Sequence, residues 1–194
     1  GILGFIQKML QKIELAKVNI IVRKTKEKLE NNKNCKVSIM LSFRETIRRV
    51  ADGLSLYKPI VITGDTKKAM RKELISPFMR NEDRARVLIG NFHVLSTGID
   101  LDDQHGDYPR YVLASPNYNT MLIQQMTYRF LRKNTKSDTT IDFVYANCNK
   151  SNDVREVSIL KALSKKAKVL REGCLDNGSK KVKYPDEYPE IVDN

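Results

Sequence analysis

Five short apolar runs, each bounded by turn-forming residues, constrain this chain more than any other feature. They are "VSIML" (37–41), "PIVIT" (59–63), "RVLIG" (86–90), "RYVLA" (110–114) and "TIDFVYA" (140–146). Helical spacings lie between several of them. Ile47, Val50, Ala51 and Leu54 mark one helix, Ala69, Leu74 and Phe78 a second, and Met121 to Leu131 a third. Strands that alternate with helices form βαβ units, because parallel neighbours need a crossover between them. The expected fold is therefore α/β: a parallel sheet of about five or six strands flanked by helices, with helical extensions at both ends.

The segments outside 36–147 read differently. Ile2, Ile6, Met9, Ile13, Ala16 and Ile20 recur at helical spacing, and a Lys- and Glu-rich stretch follows as far as the polar break "ENNKN". Residues 1–35 are thus expected to form one or two helices outside the main core. After Asn147, Asp153 and Glu156 fit a capping box. Val154, Val157, Leu160, Leu163, Ala167 and Leu170 form an apolar stripe opposite Lys161, Lys165, Lys166, Lys168 and Arg171. Residues 148–194 are expected to be this helix and an irregular tail.

Composition narrows the partners. With 35 basic and 23 acidic residues the formal charge is +12, an excess that favours a polyanionic partner, nucleic acid first. Cys35, Cys148 and Cys174 are far apart and lack metal-ligand spacing, so neither a disulfide framework nor a metal site is expected. A reducing, intracellular compartment fits that cysteine usage. No apolar run reaches the length of a membrane span. The absence of an initiating Met leads us to expect a fragment of a longer protein.

In open parallel sheets, ligands bind beyond the C-terminal ends of the strands. Each loop there has a functional and a plain reading. Ser42 and Thr46 could offer hydroxyls to a phosphate or cap a helix. Gly64 could let a backbone approach closely or simply turn, with Asp65 or Thr66 capping the next helix. Asp100, Asp102 and Asp103 could suggest a magnesium site, or Asp102 and Asp103 a solvated turn. The segment "SPNYNTMLIQQMTYRFLRKN" (115–134) is the most specific. On a helix, Gln125, Arg129 and Arg132 would share one face, with no acid in the helix to pair with. Two adjacent guanidinium groups make a clamp for phosphate oxygens, projecting from the strand-exit rim.

Taken in order, these parts resemble the second RecA-like lobe of superfamily 2 helicases and translocases, in the pattern of Swi/Snf-type and large-DNA-virus ATPases. The stretch "VSIMLSFRETIRRVADGL" is similar to the family's motif IV strand and helix. Gly64, Thr66, Arg71 and Phe78 match its Gly-x-Thr, Arg, Phe pattern. Gly98-Ile99-Asp100-Leu101 matches the end of motif V. Pro116, Tyr118 and Asn119, then Gln125, Arg129 and Arg132, match the approach to motif VI and its Gln-x-x-x-Arg-x-x-Arg. Tyr128, Met126 and Leu95-Ser96 depart from the usual residues.

The resemblance implies an ATP-dependent motor whose nucleotide lies between two lobes, with the phosphate loop and the magnesium-binding acid on the first. This sequence has no Gly-x-x-x-x-Gly-Lys-(Ser/Thr), so it would be the second lobe alone. Arg129 and Arg132 would then be catalytic arginine fingers, and Gln125, Gly98 and Asp100 would contact ATP. Ser42, Arg44, Thr63, Gly64, Asn91 and Thr97 would lie along a DNA or RNA backbone. ATP with Mg2+ is the implied cofactor, and an N-terminal lobe and nucleic acid are the implied partners. A viral source would place the protein in host cytoplasm or virion. The alternative is a non-catalytic basic adaptor that keeps the lobe fold.

Overall fold

The computed structural model describes residues 1–117 and 119–146. Tyr118, the capping box at Asp153 and the basic helix expected to follow it lie outside the described residues.

All five apolar runs form strands: β1 (Lys36–Leu41), β2 (Ile60–Ile62), β3 (Val87–Asn91), β4 (Arg110–Ala114) and β5 (Thr139–Phe143). They make one parallel sheet in the order β2-β3-β1-β4-β5. Because β1 has neighbours on both sides and helices on both faces, it is buried along its whole length. That is why such strands appear in sequence as continuous apolar runs rather than as alternation.

Among the described residues, seven helical segments connect or flank the strands: α1 (Ile2–Ala16), α2 (Val18–Asn31), α3 (Arg44–Gly53), the 3-10 turn Ser55–Tyr57, α4 (Lys68–Met79), α5 (Phe92–Leu95) and α6 (Thr120–Phe130). The pleat of β1 divides the core. Val37, Ile39 and Leu41 face α2 and α3 with Ile21, Leu29, Ile47 and Val50. Met40 faces the other layer, built from Phe78 of α4, Phe92 of α5, and Ile123, Met126 and Phe130 of α6. Gly90 sits where β3 meets both β2 and α5. A Cβ there would lie 2.6 Å from the Ile62 carbonyl oxygen and 2.7 Å from Leu95 Cδ1, so only glycine fits.

Two expectations are corrected. The 1–35 segment is helical but not outside the main core: Ile21 and Leu29 are buried among the β1 and α3 side chains. The apolar periodicity also marked the wrong stripe. Ile2 is largely exposed, whereas the buried positions are Glu14, Lys17, Ile21, Thr25 and Leu29, three and then four residues apart. Three of those five are polar, so hydrophobic spacing could not find them.

After β3 the chain forms the short helix α5 before it enters a loop. Asn91 ends β3 and its Oδ1 accepts a hydrogen bond from the His93 amide at 3.0 Å, starting α5. An N-cap of this type satisfies one of the otherwise free first-turn N–H groups.

Candidate nucleotide and nucleic-acid site

The arginine-bearing helix is built from a double asparagine start. Asn117 Oδ1 accepts from the Asn119 amide at 2.9 Å, and Asn119 Oδ1 accepts from the Leu122 amide at 3.1 Å. Leu122, Ile123, Met126 and Phe130 bury the apolar side of α6, leaving Gln125 and Tyr128 exposed and Arg129 at the boundary. The helix stops at Phe130, and Leu131 has an extended-side backbone with φ −112 and ψ 77. Arg132 is therefore not on the helix. A local turn holds it instead, through its amide to Thr135 Oγ1 at 2.9 Å.

The two guanidinium groups nevertheless converge, because the loop after α5 folds against the end of α6. The Leu101 amide donates to the Arg129 carbonyl at 2.8 Å, which fixes the backbones. Arg129 Nε donates to the Ser96 carbonyl at 3.0 Å, and one of its terminal nitrogens is 3.6 Å from Asp100 Oδ1. Arg132 pairs with the same Asp100 oxygen. Gly98, with φ +70, makes the turn that presents Asp100; this is a left-handed conformation that glycine adopts without strain.

The helix itself holds no acid, but Asp100 from the loop after α5 supplies both arginines with an acidic mate. Asp100 is 29 positions before Arg129, so its proximity could be inferred only from the fold. One carboxylate against two guanidinium groups still leaves an excess positive charge. The side chains are about half exposed at Asp100 (48%) and Arg132 (42%) and 25% exposed at Arg129. Exposed ion pairs of this kind are worth about 0–1 kcal/mol, so a polyvalent anion can compete for them. Arg132 Nε is buried and has no hydrogen-bond partner among the described residues, which leaves one donor of the fork unused.

The position of this cluster is also corrected. The carbonyl at the end of α6, on Phe130, accepts a 3.3 Å bond from Thr139 Oγ1, at the first residue of β5. The arginines therefore lie on the α6 flank, toward the strand starts, and do not project from the strand-exit rim. Gly98, Asp100, Arg129 and Arg132 are brought together. Gln125 stands one helical turn before Arg129.

A separate group forms on the rim, where the exits of β2, β3 and β1 lie side by side. Arg44 pairs with Asp65 at 2.8 Å, and both side chains are mostly exposed. Gly64 is exposed, and a Cβ there would meet the Arg44 side chain. Thr66 Oγ1 accepts from the Thr63 amide at 3.1 Å and closes the turn. Neither Asp65 nor Thr66 caps α4, whose N-cap is Lys67. Asn91 Nδ2 donates to the Ser42 carbonyl at 3.0 Å, joining two of the candidates. Thr97 Oγ1 donates to the His93 carbonyl at 3.0 Å. Thr46 is fully buried, so its hydroxyl is not offered to a ligand, and neither it nor Ser42 caps α3, whose N-cap is Phe43.

Asp102 and Asp103 are neither a solvated turn nor directed at a ligand. Both are buried. Asp103 accepts from Asn81 Nδ2 (2.8 Å), Ser137 Oγ (2.6 Å) and the amides of His105 and Tyr108 (both 3.1 Å). Burial alone would raise its pKa, but these donors outweigh it and hold the carboxyl well below the usual range. Its cationic neighbour is Arg110, 3.9 Å away and equally buried, whose Nε donates to the Leu101 carbonyl. This network anchors the loop that carries Gly98 and Asp100.

No family model matches the chain. A protein of Acanthamoeba polyphaga mimivirus, named "Putative ATP-dependent RNA helicase", is 29% identical over 165 residues. That match covers 84% of this chain but only 29% of the viral protein. Among solved structures, the C-terminal part of the Fun30 ATPase domain superposes with a TM-score of 0.56 at 21% identity, covering 71% of this chain and 43% of that one. Mss116p DEAD-box helicase domain 2, solved bound to an RNA duplex, gives 0.57 at 16% identity over 79% of this chain and 56% of its own. The chain shares the RecA-like α/β fold of these helicase and ATPase domains. T4 UvsW shares it with a TM-score of 0.59 at 15% identity, over 84% of this chain and 35% of that one. Among the described residues no helix is long and apolar enough to cross a membrane.

Three features of the lobe escaped sequence reasoning: the Asp100 pairing, the buried Arg110, and the buried Glu14 and Lys17 of the N-terminal helices. A charged residue in register with a helix's buried face was the only available signal for the last two.

Proposed function

We propose that this chain is the C-terminal motor lobe of an ATP-dependent nucleic-acid helicase or translocase. The observation that carries the proposal is the convergence of Arg129 and Arg132 beside Gly98 and Asp100, on a lobe of this fold. Two partly exposed guanidinium groups suit the γ-phosphate of ATP held by an N-terminal lobe. Fingers of this kind stabilise charge that develops in phosphoryl transfer. Magnesium and the phosphate loop would belong to the other lobe. Asp100 would exchange its guanidinium contacts for the nucleotide when ATP arrives, and Gln125 would stand beside it.

Nucleic acid would run along the rim at Arg44, Thr63, Gly64, Asn91 and Thr97, held by its phosphates rather than read by its bases. The net charge of +12 supports an electrostatic contribution to that binding. RNA is the better supported strand, since the viral relative is named as an RNA helicase and Mss116p domain 2 was solved on RNA.

One observation favours the adaptor as a second reading: Asp100 already neutralises part of the arginine pair. The purified chain tests the division of labour between lobes. It should bind single-stranded oligonucleotide with an affinity that falls steeply with salt, yet turn over no ATP. Appreciable hydrolysis by the chain alone would overturn the missing-lobe reading.

A further inference from the structure

Two oppositely charged side chains from the α1–α2 joint are buried at the strand exits, and neither belongs to the sites described above. Glu14 is 2% exposed and Lys17 3%. The Glu14 carboxylate accepts from the Ser42 amide (3.2 Å to Oε1, 3.0 Å to Oε2) and from the Phe43 amide (3.0 Å to Oε1). These are the amides where β1 passes into α3, and α3 has no side-chain cap of its own. Lys17 Nζ donates to Ser115 Oγ and to the Val144 carbonyl, both at 2.9 Å. Ser115 follows β4 and Val144 follows β5. One turn of helix therefore ties together the exits of three neighbouring strands.

The charges fit these places. A carboxylate at a helix start meets unsatisfied N–H groups and the positive end of the helix dipole. An ammonium among a carbonyl and a hydroxyl finds acceptors. Removing either side chain would leave buried polar groups unpaired. The consequence for a polyanion is geometric. At the β1 exit, the Ser42 and Phe43 amides are already occupied by an internal anion. The β4 and β5 exits are occupied by the Lys17 contacts. On the remaining side, Arg44 and Gly64 stay exposed.

We infer that Glu14, buttressed by Lys17, is a specificity-determining positioning residue: it withholds the Ser42 and Phe43 amides from nucleic-acid phosphate and confines the strand to the β2–β3 half of the rim, at Arg44 and Gly64. This rests on the reading that the rim binds a nucleic-acid backbone, and it removes Ser42 from the set of direct contacts. Glu14 itself touches no ligand. Its carboxylate takes the place a phosphate would otherwise occupy.

The test follows backbone amide resonances of the 15N-labelled chain during titration with a short oligouridylate, and separately with inorganic phosphate. In the native chain the Gly64 amide and the Arg44 side chain should shift to saturation while the Ser42 and Phe43 amides stay put. In Glu14→Ala, or in Glu14→Met should the alanine variant not fold, the Ser42 and Phe43 amides should begin to shift with the oligonucleotide and with phosphate alone. Native Ser42 and Phe43 amides that move along the Gly64 curve would overturn the inference. So would variant amides that ignore phosphate. A native Gly64 that never responds to oligonucleotide would sink the rim reading instead, and the phosphate titration of the variant would still decide the role of Glu14.

Discussion

Replacing Asp103 with alanine should destabilise this lobe more than any surface change. The side chains of Asp103 and Arg110 are both fully buried, 3.9 Å apart. Asp103 also receives hydrogen bonds from Asn81, Ser137 and the amides of His105 and Tyr108. The alanine variant leaves those donors and the Arg110 charge uncompensated in the interior. Removing one member of a buried pair costs about 3–5 kcal/mol. A domain of this size is stable by only about 5–15 kcal/mol, and each kcal/mol moves its melting temperature by about 2–4 °C. Urea unfolding followed by circular dichroism should therefore show a midpoint displaced by that energy, with little change in slope. The pH dependence has a definite sign. The carboxyl titrates below its unfolded value of about 3.9, so its contribution is complete above that pH and is lost as the pH falls further. Asp103→Asn should flatten that acid limb. A loss below about 1 kcal/mol in the alanine variant, or an unchanged acid limb in the asparagine variant, would refute the account of this network.

Three other outcomes follow from the geometry. Gly90→Ala should cost about 1–3 kcal/mol in urea unfolding, because its new Cβ meets the Ile62 carbonyl oxygen and Leu95; an unchanged midpoint would contradict that packing. Burial, with Arg110 nearby, lowers the Lys36 pKa to about 8, so the folded state sheds this proton before the unfolded state does. Stability should therefore rise as pH climbs from about 8 toward 10, and Lys36→Met should remove that rise in a pH series of melts. Arg44→Ala should weaken oligonucleotide binding and reduce its salt slope by about one ion, measured by fluorescence anisotropy across a salt series.

What the sequence disclosed depended on whether the signal was local. β1, β3 and β4 were legible because strands buried on both faces leave unbroken apolar runs, and the βαβ alternation dictated a parallel sheet. The four-residue α5 was not, because it holds one turn and its cap, Asn91, looks like any loop asparagine. The polar members of the α1–α2 buried stripe defeated a reading based on hydrophobicity. The candidate site divides the same way. Arg129 could be placed from helical spacing, whereas Arg132 lies beyond the helix end and reaches the cluster through a turn. Asp100 was visible as a residue but not as their partner, since only the packing of one loop against the end of α6 brings them within reach. Arg110 was read as the start of a strand, and nothing local distinguishes it from an exposed arginine.

The central claim is that Arg129 and Arg132 act on ATP held by another lobe, and it is tested most directly by nucleic-acid-stimulated ATP turnover in the complete protein. Arg129→Ala and Arg132→Ala should each lower turnover by about 10³–10⁵ while nucleotide and nucleic-acid binding change little. Turnover that survives both substitutions undiminished would contradict the claim and leave the adaptor reading in its place.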